Sequence, residues 1–448
     1  LGKQWVANQA GTWGSSEQAR LNIEKGINSP DSGHPRYNRL WFTMGNQARG
    51  ELPGMMNPGM PNSSAQWARK LGRVNSYAEG TDGGIWVAGM ISLAFVEIDV
   101  KQIVKQAVKL LNPQTPHHQC IHQVIAMAED GKSFRQIVDY VEDVWHIQYP
   151  ASNNTVANAG IVAASVWFGE GDFLKTVNLA YGAADFVDTD NNAAISGAVV
   201  AASKGLNALP PLLVAQLNNK VKGQYIGPVK LSPPVDETIS NLAKRTVKVA
   251  EQIFIQNNVK IEKAHYLIKV QIPIPMEAEL WKLADFTQYW NPSWKLERAG
   301  FGAPGGGVRN LRGGTYLIDD VLVTYPRDEV RGVVLRGDFE IEKNDVLKLE
   351  VAADPGRAWQ MLVYVNNEKI FTKKLDGGAT MDWKEMPPQS YPESEFVAFK
   401  QARKYEHIEV PLGQFAGQQV HIRLYQYTLL LNKIPGNAYW KKAEIVHK

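Results

Sequence analysis

The sequence predicts a multidomain α plus β protein: an all-α helical domain followed by a jelly-roll-type β-sandwich. Three observations predict it. From Gly84 to Lys204 apolar residues recur at helical spacing, and no alternating stretch interrupts them. At about Leu280 the period changes to two, as Leu347, Leu349 and Val351 alternate with Lys348 and Glu350. A chain of 448 residues, 44% hydrophobic and 21% charged, is long and apolar enough for two domains with separate cores. The expected division is 1–284 and 285–448.

The early chain is rich in Gly, Pro, Asn and Ser. Pro30-Asp-Ser-Gly-His-Pro and Pro53-Gly-Met-Met-Asn-Pro-Gly-Met-Pro signal loops, with short helices expected over Glu17–Lys25 and Ser63–Leu71. Asp99 caps a stretch in which Val100, Ile103, Val104, Ala107, Val108 and Leu111 form one stripe, and Ser133 opens another. Asn158–Trp167, Phe173–Tyr181 and Asn192–Ser203 are further helices, rich in the Ala and Gly that allow close approach. A helix over Leu212–Val221, a Pro-marked loop and a long helix over Glu237–Gln256 follow. In the second part, strands are expected at Met361–Val365, Ile408–Leu412 and Val420–Tyr425.

The chemistry centres on Ala184-Asp-Phe-Val-Asp-Thr-Asp-Asn-Asn. Asp188 and Asp190 sit on a short turn at the head of a small-residue run, which packs as a buried helix and places both carboxylates inside the protein. Two carboxylates so close repel each other and resist desolvation unless they share a cation. With Thr189, Asn191 or Asn192 completing the set, the hard oxygen donors suit Mg²⁺ or Ca²⁺ better than zinc. The plainer reading is an N-cap Asp beside a surface Asp.

The run Gly169-Glu-Gly-Asp-Phe, then Asp188-Thr-Asp-Asn-Asn-Ala-Ala-Ile-Ser-Gly, then Gly205 and Pro210, resembles the ADP-ribosylglycohydrolase family. Leu21-Asn-Ile-Glu-Lys-Gly-Ile-Asn-Ser-Pro-Asp-Ser-Gly and Pro58-Gly-Met-Pro resemble a bacterial branch of it, and the likeness runs to about residue 260. The resemblance implies a Mg²⁺-dependent hydrolase, with one or two ions, that cleaves a glycosidic bond to ribose. Asp188, Asp190 and Asn191 would then be metal ligands, Asn191 standing where many relatives carry Thr. The N-terminal Thr-Asp-Asp ligand segment of the family is absent, since Thr81-Asp-Gly-Gly comes too late and in an expected loop. Ser76-Tyr77 replaces a His of many relatives. A separate N-terminal fragment or second chain completing the site is therefore one expectation. A non-catalytic binding or structural protein that keeps the fold is the other alternative. Leu1 is no ordinary translation start, which points to a segment removed upstream.

Around the acidic pair, Asp185 is a candidate to support the metal ligands through a hydrogen bond or to act as a base. Asn46 and Gln47 are candidates to bond substrate hydroxyls, and Arg49 a phosphate or carboxylate. Tyr77 could stack on a ring, and Asp82, among Gly80, Gly83 and Gly84, could approach a ligand. The substrate expected is an ADP-ribosyl group or another glycan. The second domain resembles sugar-binding β-sandwich modules of exported bacterial glycosidases. That implies a periplasmic or extracellular protein, with a cytoplasmic one left open. Trp290, Trp294, Trp359, Trp383 and Trp440 are either sugar-stacking faces or sheet core, core being the default for at least half.

Other classes recede. A net charge of +3 is too small to argue for nucleic acid or an anionic membrane. No apolar run reaches the ~20 residues needed to span a bilayer. A single cysteine, Cys120, allows no intrachain disulfide. His118 and His122 share a helix face, but Cys120 points elsewhere, which disfavours zinc. Gly302-Ala-Pro-Gly-Gly-Gly-Val and Gly313-Gly lack the strand and helix of a phosphate loop.

Overall fold

Glycine and alanine set the packing of the first half. The computed structural model describes residues 2–8, 14–149, 151–226, 229–263, 265–300, 314–327, 330–379, 403–428 and 436–447. The chain divides into two units. One comprises Leu1–His34, Leu40–His146 and Ser152–Leu280; the other comprises Pro35–Arg39, Ile147–Ala151 and Trp281–Lys448.

The first unit holds helices α1 (Gly2–Asn8), α2 (Gly14–Glu24), α3 (Glu51–Met55), α4 (Pro61–Gly72) and α5 (Glu79–Ala94). Then come α6 (Val100–Ala107), α7 (Pro116–Glu129), α8 (Phe134–Tyr140), α9 (Thr155–Gly169), α10 (Phe173–Tyr181), α11 (Thr189–Lys204), α12 (Pro211–Leu217) and α13 (Ile239–Gln256). Every residue of α5 is buried, and α9 is buried along its length except at Phe168. Such helices cannot be amphipathic, so their neighbours must surround them. Small residues make room: a Cβ on Gly54 would lie 2.6 Å from Cβ of Ile91, and one on Gly160 2.9 Å from Sγ of Cys120. These contacts seat α3 on α5 and α9 on α7.

The caps follow the sequence. Asp99 accepts from the Lys101 amide, Ser133 forms a capping box with Gln136, and Asn154 accepts from the Ala157 amide. One expectation fails after Pro210. Asn218 and Asn219 take left-handed φ of 47° and 48°, which ends α12 early. The chain then forms an antiparallel hairpin of β1 (Lys220–Ile226) and β2 (Val229–Thr238) where the rest of a helix and a loop were expected. A second hairpin, β3 (Lys260–Glu262) with β4 (His265–Leu267), follows α13. Ala250, Ile253 and Phe254 of α13 pack with Met56 and Met60.

The second unit opens with α14 (Leu283–Trp290) and β5 (Lys295–Glu297). Then come β6 (Tyr316–Ile318), β7 (Val321–Thr324), β8 (Val333–Glu340), β9 (Asp345–Ala353), β10 (Ala358–Val365) and β11 (Glu368–Asp376). Last are β12 (Glu406–Pro411), β13 (Gln419–Tyr427) and β14 (Ala438–His447). They make two antiparallel five-stranded sheets, ordered β11-β10-β13-β8-β5 and β12-β9-β14-β7-β6. Strands alternate as expected: on β10, Trp359, Met361, Val363 and Val365 are buried while Gln360, Leu362 and Tyr364 face the other way.

Trp294, Trp359 and Trp440 are core. Their indole N–H groups donate to Ala443 O, Ala352 O and Thr324 Oγ1 at 3.0, 3.2 and 2.9 Å. These three offer no sugar-stacking face. Trp290 is half-buried. Trp383 and the stretch from Gly302 to Gly313 lie outside the described residues.

In α5, a Cβ added at Gly80 would overlap the carbonyl oxygen of Trp41, a backbone atom. Backbone cannot rotate aside as a side chain can, so Gly80→Ala is expected to cost roughly 1–3 kcal/mol of stability. Chemical denaturation reads this directly, and an unchanged midpoint would contradict the packing.

Candidate active site

Asn158 is fully buried near the start of α9, and a site assembles around it. Its Nδ2 donates to Ser152 O at 2.8 Å and to Asn154 O, while Oδ1 accepts from the Asp188 amide at 2.9 Å and from Asn192 Nδ2 at 2.8 Å. One side chain thus fixes the loop before α9 to the head of α11. One turn back on α9, Thr155 Oγ1 donates to Gln47 Oε1. Asn46, beside it, donates Nδ2 to Thr81 O at 3.1 Å. The backbone closes the same region: Met44 N donates to Asn153 O at 3.0 Å, and Thr155 N to Phe42 O at 3.1 Å. Asn158, Asp188 and Asn192 thus share one set of hydrogen bonds, and Thr155, one turn earlier on α9, makes a separate one to Gln47.

Asp188 is the N-cap residue of α11, but its carboxylate does not bond the helix amides. It accepts instead from Asn191 Nδ2 at 2.9 Å and hydrogen-bonds the Asp190 carboxyl. Two carboxylates can do this only by sharing a proton. Burial first, and then the bond to Asp190, holds Asp188 above the usual carboxylate range. Asp190, stabilised chiefly by the bond from Asp188, lies below it. The pair stands at the rim, contrary to the expectation of an interior pair: Asp188 is half-buried and Asp190 exposed. Small residues bury the body of α11, yet its first turn faces outward.

The donor set fits one hard cation. Besides the two carboxylates, Oδ1 of Asn192 is buried at the same turn without a hydrogen-bond partner. Mg²⁺ is commonly held by one or two carboxylates and keeps several of its waters. Asn191 presents its amide nitrogen to Asp188, so it can offer only its oxygen to a metal. Among the described residues no three His, Cys, Asp or Glu side chains gather to hold an ion.

The other candidates are dispersed. Asp185 is exposed, and its charge reaches His146, whose imidazole burial pulls below its ordinary range. The His146 ring lies 5.0 Å from that of Phe186 and ends a π-helical turn, Val141–His146. Arg49 Nη2 donates to Ser16 Oγ at 2.8 Å, and its guanidinium lies 5.3 Å from the Trp5 ring. Burial lowers its pKa to about 10. The Tyr77 ring meets His34 edge-on at 4.8 Å. The next residue, Ala78, takes φ 41° and ψ −117°, a strained conformation for a side chain with Cβ.

Asp82 lies on the first turn of α5, not in a loop. Its glycine neighbours admit other parts of the chain: a Cβ on Gly83 would meet Thr155 and Gln47, and one on Gly84 would meet Asn46. Asp82 is fully buried. Desolvation, then the charge of Glu79, raises its pKa well above normal, against Arg69 and a hydrogen bond with Thr115. His118 and His122 stack with ring centroids 5.5 Å apart, while Cys120 is buried with Sγ 3.6 Å from Val156 O.

Thr155 and Asn158 are residues of this region that pattern reading does not single out. A lone Asn inside the apolar run from Val156 to Trp167 was the available signal for Asn158.

The first unit is thus a mainly helical body with an acidic pair at the head of α11. Residues 3–253, over half the chain, match the ADP-ribosylglycohydrolase family. The chain belongs to that family, and its helical unit is of the glycohydrolase type. No curated protein matches it. Among solved structures, one described as "CBM4 structure and function" is 10% identical, with a TM-score of 0.22 over 36% of this chain and 91% of that one. A second, "A novel family GH115 4-O-Methyl-alpha-glucuronidase, BtGH115A, with specificity for decorated arabinogalactans", is also 10% identical. Its TM-score is 0.18, over 86% of this chain and 41% of that one.

Two outcomes follow. Asn158→Ala strands the Asp188 amide and the Asn192 side chain, and should cost on the order of 2–4 kcal/mol in denaturant melts; a loss below about 1 kcal/mol would show the bonds to be idle. Asp82 binds its proton more tightly folded than unfolded. Its share of stability is thus fully present below the unfolded pKa and lost as pH rises through the raised folded value. Asp82→Asn should therefore gain melting temperature relative to wild type between pH 4 and pH 8, and a constant difference would contradict the shift.

Proposed function

We propose that the helical unit is a Mg²⁺-dependent hydrolase that cleaves a glycosidic bond to ribose, with an ADP-ribosyl group as substrate. The observation that carries this reading is the Asp188–Asp190 pair, which must share a proton or a cation at the head of α11. Asp188, Asp190 and the side-chain oxygens of Asn191 and Asn192 would hold one ion. When bound, the metal supplies positive charge that orients sugar hydroxyls and lowers the pKa of a coordinated water.

The chain's own residues do the rest. Asn158 holds the acidic turn in register through the Asp188 amide and the Asn192 side chain. The helix dipole at the head of α11 favours negative charge there, whether carboxylate or the phosphates of a substrate. Asp185, exposed three residues before Asp188, would take a proton from an attacking water. Cleavage passes through an oxocarbenium-like state, which nearby carboxylate charge stabilises.

Purified protein should release ADP-ribose from ADP-ribosylated protein when Mg²⁺ is present and lose that activity in chelator. Asp188→Ala and Asp190→Ala should each lower the rate at least about a hundredfold. Equal rates with and without metal would refute the metal requirement. No release from this substrate, with release from a glycan panel, would refute the ADP-ribosyl assignment.

A further inference from the structure

We infer that the outward face of the β11-β10-β13-β8-β5 sheet binds an acidic polysaccharide through the guanidinium groups of Arg298 and Arg423, with Tyr364 and Tyr427 beneath its sugar rings. Strand alternation builds this face. Val420, Ile422 and Leu424 of β13 point into the core, which turns Arg423, Tyr425 and Tyr427 outward. Register sets Tyr364 of β10 against Arg423, Leu362 against Tyr425, and Gln360 against Tyr427. The rings form a row: Tyr364 and Tyr425 have centroids 5.4 Å apart, and Tyr425 and Tyr427 5.6 Å apart.

The charges on this face are unequal in kind. Arg336 is neutralised by Glu297 at 2.7 Å, and His421 bonds Asp338 at 2.7 Å. Arg298 and Arg423 have no carboxylate partner among the described residues. They stand 5.6 and 5.9 Å from the centroid of the same ring, Tyr425. Arg423 is held by protein oxygens alone, donating to Asn366 O at 2.6 Å and Tyr425 Oη at 3.3 Å, and its buried Nε has no partner. Guanidinium groups that stand against one ring without a carboxylate partner favour a carboxylate or sulfate beside them. A peptide carboxylate would satisfy the arginines but leave the tyrosines unused. A pyranose ring matches both, because its C–H face packs on an aromatic ring while its hydroxyls meet polar edges. A uronate sugar supplies the ring and the charge together.

This assignment is independent of the hydrolase reading. Its test is electrophoresis of the full chain through gels containing polygalacturonate, a neutral galactan or no polymer, with polyglutamate as a non-sugar polyanion in solution competition. Polygalacturonate should retard the protein, and neutral galactan should not. Arg298→Ala and Tyr427→Ala should each weaken retardation about tenfold. Because Arg423 also ties down Asn366, Arg423→Lys is paired with a melting curve. Folded but weakened Arg423→Lys supports the site, and full binding by it counts against bidentate recognition. No retardation, retardation by galactan alone, or competition by polyglutamate as strong as by free polygalacturonate would overturn the proposal.

Discussion

The four hydrogen bonds of the Asn158 amide are the constraint on which the helical unit depends. Buried amides must be satisfied, and this one is satisfied only if the 152–154 loop, α9 and the head of α11 meet in one arrangement. That arrangement in turn requires close helices, which the glycines of α3, α5 and α9 permit. Packing thus fixes backbone, backbone fixes the amide, and the amide fixes the acidic turn. Thr155, one turn earlier on α9, bonds Gln47 and so ties the loop before α3 to the same helix.

Placement at a helix head separates the two carboxylates in character. Asp188 is half-buried and its pKa is raised by that burial, whereas Asp190 is exposed and its pKa is lowered by the bond from Asp188. A buried pair would have carried a heavier desolvation cost on both sides. At the rim, a hydrated cation can reach both oxygens without stripping its waters.

Much of this was legible in sequence because it rests on local periods. The stripe behind Asp99, the capping Ser133 and the alternation of Leu347, Leu349 and Val351 each specify an element without tertiary help. The Asp188-Thr-Asp turn was legible as well. What lay beyond reach was tertiary. Asp82 looked like a loop residue because Gly80, Gly83 and Gly84 suggest a flexible segment. Those glycines instead let Trp41, Thr155 and Asn46 crowd a helix that is buried on all sides. The hairpin after α12 was missed because two left-handed asparagines ended a helix that apolar spacing would have continued. The tyrosine row on β10 and β13 requires knowing which strands are neighbours, and no pattern within one strand tells that.

The central claim is that one dication is held by the acidic turn that Asn158 positions. Calorimetric titration of Mg²⁺ into the full chain tests it most directly, with Asp190→Asn as the comparison. The account predicts one ion per chain, bound at least about tenfold more weakly by the variant. Undiminished binding by Asp190→Asn, or no binding by the wild-type chain, would contradict it.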